Sequence, residues 1–196
     1  MVNGTRITND DVQELTSAQC TLRKQLTKSG QAPAASASRV RQESLALLMD
    51  NELSKQFGKS EGIEVDKALA KALFGQVAPF FEPLPEKDRT VFNEVFGDWA
   101  EARAILVQAG GESTGQQPSP ENLEQVMSAG LQAREKWQQQ EADIRTDPRF
   151  APGEDGFPGE SSSSVSRATS DFAKQASATE QDPKWISELP PSQRCG

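Results

Sequence analysis

Met1-Val-Asn-Gly-Thr-Arg-Ile-Thr-Asn-Asp-Asp-Val12 opens the chain, and its reading, carried on to Gly30, decides the fold. Asn3-Gly4 is a strong hairpin signal, because both residues tolerate the positive φ of a two-residue turn. Thr5 to Ile7 read as a brief strand-like run after that turn. Thr8 is an N-cap, with Asp10 and Asp11 in the first turn, where the helix dipole favours carboxylates. Ile7 and Val12 have the spacing of a hydrophobic staple, which sets how strand enters helix. Val12, Leu15, Ala18, Gln19, Leu22 and Leu26 continue at helical spacing, apolar except at Gln19. Cys20 lies roughly 130° off the centre of that stripe, so another part of the chain can reach it. Only two residues precede the turn, which makes the first hairpin arm short.

Gln31 to Ser38 is a small-residue linker. A second helix is predicted over Arg39–Phe57, with Val40, Leu45, Leu47, Leu48, Met49, Leu53 and Phe57 on more than one face. It is expected to be the most buried. Gly58-Lys59-Ser60 has the look of a P-loop ending, but the earlier glycine would have to stand at Leu53, so the spacing excludes it. Asp66 caps a third helix carrying Leu69, Leu73, Val77, Phe80 and Phe81, which Pro79 ends or kinks. Pro85 starts a fourth helix, read to Ala109, with Phe92, Val95, Phe96, Trp99, Ala102 and Leu106 in one stripe and Gly110-Gly111 as its stop. Ser119 and Pro120 start a fifth, with Leu123, Val126, Met127, Ala133, Trp137 and Ile144, ended by Asp147-Pro148. Asp182 to Leu189 can form a helical turn that groups Trp185, Ile186 and Leu189.

The chain has 196 residues, enough for one domain, or one domain and a tail. Leu, Ile, Val and Phe number 33 in residues 1–150 and five in residues 151–196. The second density falls below the roughly 20% typical of folded chains, so the folded unit is expected to be 1–150, with 151–196 a flexible tail whose end can dock. A net charge of −8 without a basic run gives no electrostatic footprint for nucleic acid. The acidic surface gives no attraction to anionic lipid either. No stretch reaches the roughly 20 apolar residues of a membrane span. No signal peptide precedes Val2, which fits a cytoplasmic protein, or an exported one whose leader is not part of this chain; the short hairpin arm favours the latter. With no histidine in the chain, Ser-His-Asp and Cys-His catalysis and His-ligated zinc are excluded.

Val2-Asn3-Gly4-Thr5-Arg6-Ile7-Thr8-Asn9-Asp10-Asp11-Val12, followed by four further helix patterns, resembles the VNG-x-x-I-T-x-x-[DE]-[VL] opening of SurA-like and PrsA-like periplasmic or surface foldases. In that family a strand, turn and helix open a helical peptide-binding domain. The resemblance covers residues 1 to about 150 and is nearest to actinobacterial envelope proteins, usually lipoproteins, that carry the chaperone module alone. It implies an all-α, five-helix SurA-like domain with a short N-terminal strand. It also implies binding of unfolded or partly folded proteins outside the cytoplasm. The missing histidines and the short chain argue against a parvulin prolyl-isomerase domain, so chaperone rather than isomerase is implied. No cofactor, metal or enzyme activity is expected.

Phe80, Phe81, Phe92, Phe96, Trp99 and Trp137 are the candidate client-binding surface, since an unspecific cradle needs exposed apolar area in a roomy groove. Against this stands ordinary core, the commoner fate of an aromatic at helical spacing. Cys20 and Cys195 are the only cysteines. If oxidised, they close a loop of about 175 residues, worth at most roughly 5 kcal/mol in the chain-entropy picture; the other reading is two free thiols in a reducing compartment. Asp10-Asp11 and Glu141-Asp143 read as a helix first turn and a solvated face rather than acid/base pairs. Asn3-Gly4-Thr5 fits a glycosylation sequon, though its turn role accounts for it. The expected function is a chaperone-like peptide binder. The alternative is a dedicated structural or assembly partner of one envelope protein, using the same groove. The N-terminal strand is expected to pair with Ile144–Phe150, and the tail to fold back on the first helix.

Overall fold

The computed structural model describes residues 1–150, 156–158, 170–171, 174–175 and 181–196, and shows an all-α fold. Its long helices are α1 (Asn9–Lys28), α2 (Ala37–Ser60), α3 (Lys67–Val77), α4 (Glu86–Thr114) and α5 (Leu123–Glu141). A short α6 (Pro183–Glu188) lies near the chain end. Two-residue strands β1 (Ala35–Ser36) and β2 (Arg194–Cys195) pair antiparallel. Of the tail expected after residue 150, half lies outside the described residues, and its end, 181–196, packs back on the domain.

The opening forms as its residues dictate. Asn3 and Gly4 take φ of 45° and 85°, and Val2 and Thr5 exchange both backbone hydrogen bonds across the turn. Thr8 and Asp11 form a reciprocal capping box on α1, a cap whose loss costs about 1 kcal/mol. Ile7 packs on the same core cluster as Val12, completing the staple. The expected strand over Thr5–Ile7 is only a single bridge at Thr5. Val2 is instead the centre of a three-stranded patch, because it also bridges Ile144. Asn3 N–H donates to the Asp143 carbonyl at 2.9 Å, and Arg145 N–H to the Met1 carbonyl at 2.9 Å. The pairing with Ile144 is therefore present, and α5 stops at Glu141, before Ile144, so that the chain can extend.

α4 runs through the middle. It packs on α1, α2, α3 and α5, while α2 is the most buried of the long helices, as its apolar residues on more than one face predict. Gly110-Gly111 do not end it. The helix continues to Thr114 and stops at Gly115, whose φ of 66° supplies the left-handed cap. Gly110 and Gly130 are the crossing point of α4 and α5. A Cβ on Gly110 would overlap the Val126 carbonyl oxygen and sit 2.9 Å from the Gly130 nitrogen, and one on Gly130 would overlap the Leu106 carbonyl oxygen. Glycine is there for backbone proximity, which overrides its cost inside a helix. Gly58, the P-loop look-alike, lies within α2 beneath Ile105.

Other boundaries differ locally. α2 begins at Ala37 because Ser36 accepts from Arg39 N–H as its cap, and the residues just before it, read as linker, form β1. α3 gives way at Val77 to a single 3₁₀ turn, Ala78–Phe80, containing Pro79. Ser119 does not cap α5: Asn122 holds that position, and its Oδ1 accepts from Ser119 N–H at 2.7 Å.

Polar residues join α1 to α2. The Thr16 hydroxyl donates to Val12 O and meets Ser44, which donates to Gln19 Oε1 at 2.9 Å, so Gln19 belongs to the α1–α2 contact despite its polarity. Among the described residues, no helix is long and apolar enough to cross a membrane.

Candidate functional site

Four of the six candidate aromatics form one continuous run. The loop between α3 and α4 brings Phe81 onto Phe92, stacked at 4.6 Å with 8° between the rings. Phe96 lies 4.9 Å from Phe81 and 5.6 Å from Phe92, and Trp99 is 6.0 Å beyond it. The α4 stripe spaces Phe92, Phe96 and Trp99 about one turn apart, which is why the rings meet in sequence. Phe80 stands beside this run at the end of the 3₁₀ turn and is 60% exposed.

Burial sorts the set. Phe81 and Phe92 turn inward with Leu15, Ala18 and Leu84 and are core, because α1 closes over them. Phe96 and Trp99 are half-buried, as are Leu69, Phe74 and Val77 on α3. α3 is held to α4 through small contacts, Ala70 and Leu73 against Ala100 and Ala104, with Trp99, Leu69 and Phe74 packed at the margin. An apolar edge therefore runs along α3 and α4 towards Phe80.

Trp137 is not part of that edge. It is buried on α5 against Phe57, 5.9 Å between ring centres, and its Nε1–H donates to the Ser60 hydroxyl at 3.2 Å. It lines a cavity of about 450 Å³ with Phe57, Ile63, Ala109 and Ala133, bordered by Glu61, Glu112, Glu141 and Lys136. A second cavity, of about 520 Å³, shares Glu112 and is lined by Leu69, Ala104, Val107 and Pro118. The six aromatics thus divide into a surface edge, the core below it, and a separate cavity.

Sequence reading missed the charged group behind the edge. Asp50 on α2 accepts hydrogen bonds from Arg134 on α5 and from Arg103 on α4, the latter at 3.4 Å. Arg134 also donates to the Ser54 hydroxyl at 2.9 Å and is 7% exposed, with no partner for its Nε–H. The Arg103 guanidinium lies 5.9 Å over the Trp99 ring. Asp50 is therefore linked through one arginine to the aromatic edge and through the other to α5. Arg134 falls on the buried stripe of α5 with Val126, Gly130 and Trp137, so its helical register, against its residue type, was the signal of burial.

Cys20 and Cys195 are joined as a disulfide, with Cα atoms 4.7 Å apart. Asp10 and Asp11 are exposed at the start of α1, Asp11 being used in its cap. Glu141 ends α5, and Asp143 meets Arg145 at 2.9 Å on the surface. A hydrogen bond from Ser119, and then one from its own backbone N–H, hold the Glu121 carboxyl below its ordinary range, on an exposed turn. Among the described residues no group of three or more His, Cys, Asp or Glu is placed to hold a metal ion. No protein-family model matches this chain, and neither a curated protein nor a solved structure does.

Proposed function

We propose that this protein binds unfolded or partly folded polypeptide segments outside the cytoplasm, without catalysis, in the manner of a SurA-like chaperone module. The observation that carries this reading is the α3–α4 edge, where half-buried Leu69, Phe74 and Trp99 pack at the margin and Phe96 meets Trp99, with Phe80, 60% exposed, at the end of the turn after α3. Apolar area of this kind takes up side chains of many sequences, since burial is rewarded in proportion to area and without direction. Phe81 and Phe92 give the edge a rigid floor, and Arg103 fixes the Trp99 ring from behind. The Cys20–Cys195 disulfide supports an oxidising location, such as the cell envelope. The N-terminal patch of Val2 with Thr5 and Ile144, with the capped α1 after it, supports the likeness to the family's strand-turn-helix opening.

A second reading, a dedicated assembly partner of one envelope protein, is favoured by the cavity at Trp137. Its apolar floor, bordered by three glutamates and one lysine, suits a single complementary side-chain pattern better than a varied set. The two differ in promiscuity. Light scattering of several aggregating, chemically unfolded proteins separates them. The chaperone reading expects suppression of each at near-stoichiometric ratios, and Phe80→Ser to need about fivefold more protein, equivalent to about 1 kcal/mol of binding. Absence of suppression for every client removes it.

A further inference from the structure

The last sixteen residues described, 181–196, fold onto a different face of α1 from the one that meets the aromatic core. Ala35 lies opposite Cys195 and Ser36 opposite Arg194 in the β1–β2 pair. Cys195 is 1% exposed and packs with Ala35, Val40, Ala37 and Cys20. Ile186 and Leu189 are buried as well, α6 lying against β1 and the Pro191–Gln193 turn against α2. Ser36 N–H points to Gln181 Oε1 at 3.4 Å. At Gly196, with φ of 115°, a Cβ would meet Thr27 Oγ1 at 2.7 Å and Ala34 Cβ at 2.9 Å, so the site closes round a residue without a side chain.

Two features make this segment an occupant rather than a layer of the domain. Its elements are too short to persist alone: a two-residue ladder is marginal, and a six-residue helix lies far below the length at which isolated helices form. Chain ends fray unless tied down, and here the tie is covalent. What lies beneath it has the makings of a peptide receptor. Among the described residues β1 pairs only with β2, so the vacated strand offers backbone groups for strand addition, beside an apolar floor at Val40 and Ala35.

We propose that β1, the first turns of α2 and the Cys20 face of α1 form a strand-accepting peptide site. The chain's own residues 181–196 fill it while the disulfide is intact, and reduction opens it. The ligand it takes is a segment with two apolar residues spaced as Ile186 and Leu189 are over one helical turn, followed by a short strand that pairs with β1. The opening step is thiol–disulfide exchange with a dithiol reductant. A thiolate of the reductant attacks the sulfur of Cys20, which is half-buried and the more open of the two cysteines. Cys195 leaves as a thiolate and takes up a proton. The reductant's second thiol then displaces Cys20, so two electrons pass to the protein and the reductant ends as a disulfide. This site is independent of the α3–α4 edge, and neither stands or falls with the other.

Hydrogen exchange on the full chain tests the opening, oxidised, reduced by a dithiol, and as the C20S/C195S variant without reductant. Amides of 35–41 and 185–195 are expected to exchange at least about tenfold faster in the last two, with α4 and α5 unchanged. Unaltered protection at 35–41 after reduction overturns the proposal and makes the disulfide a plain staple. Loss of protection across α4 and α5 overturns it too, by showing global unfolding. Acceptance is tested with a fluorescent peptide of residues 181–196 carrying Cys195→Ser, added to full-length C20S/C195S protein that also carries Ile186→Asp to weaken the resident segment. Saturable anisotropy there, and none with the oxidised wild-type protein, is the expected result. No binding to the opened variant removes the receptor.

Discussion

α4 meets α5 around Leu106 and Gly110 and α3 around Ala100 and Ala104, and the two contacts are built on opposite terms. At the α5 crossing, Gly110 and Gly130 remove the side chains altogether, so backbone meets backbone and neither glycine has room for a methyl group. At the α3 contact, Ala70, Leu73, Ala100 and Ala104 keep the helices a side chain apart, and large apolar residues are left at the margin with part of their surface in water. The first arrangement tolerates almost nothing, and the second gives up burial for accessible apolar area. One helix can thus anchor a domain through one face and leave accessible apolar area beside its contact on another. Gly110→Ala is the strongest way to break the comparison. Its methyl group would fall on the Val126 carbonyl, which only separation of α4 and α5 relieves, at about 4 kcal/mol. Urea unfolding measures it. A loss under 1 kcal/mol would show that the crossing is plastic and that the two contacts do not differ in kind.

The charged group beside the crossing gives the next effect. Asp50→Ala strands Arg134 in the interior without its carboxylate, at about 3 kcal/mol. Arg134→Met removes the buried charge and leaves Asp50 paired with Arg103, so its cost is expected to stay within about 1 kcal/mol. The order of the two urea midpoints decides the matter: equal losses would mean that packing, and not the unpaired charge, dominates. Because Arg103 also covers Trp99, Asp50→Ala should change the Trp99 emission as well.

Which of this was legible in the sequence follows from how local each cause is. The turn at Asn3-Gly4, the Thr8 cap, the Ile7–Val12 staple, the Asp66 cap and the helical turn after Asp182 are decided within a few residues, and all form as read. The five long helices follow from periodicity. The misreadings share one source, a tertiary contact with no local trace. Gly110-Gly111 have the local signature of a helix stop, and only the approach of α5 explains Gly110 as a crossing. β1 forms within Gln31–Ser38 because Arg194 and Cys195 arrive from the other end of the chain. Spacing grouped Phe92, Phe96 and Trp99 correctly, yet Phe92 is closed over by α1 while Trp99 is left at the edge. Trp137 shared only its residue type with the others. Asp50, Ser54, Arg103 and Arg134 come from three helices, and each reads as surface by its residue type.

The smallest expected effect sharpens the comparison most, since it separates what holds α3 from what α3 displays. Leu73 is buried between α3 and α4, and Leu73→Ala removes a packed side chain at a contact one helix deep. Its cost is expected near 2 kcal/mol, the low end for such truncations, because α3 can settle on α4 around the gap. The loss should be local, with faster hydrogen exchange in α3 while α4 and α5 keep their protection. Phe80→Ser, a few residues away, removes a side chain that is 60% exposed, and should change the unfolding midpoint by no more than about 0.5 kcal/mol. If it costs as much as Leu73→Ala, Phe80 belongs to the packing of α3 and its exposed ring is no display surface. If only Leu73→Ala destabilises, stability and accessible apolar area occupy adjacent residues of one short helix and turn, and each can be altered without the other.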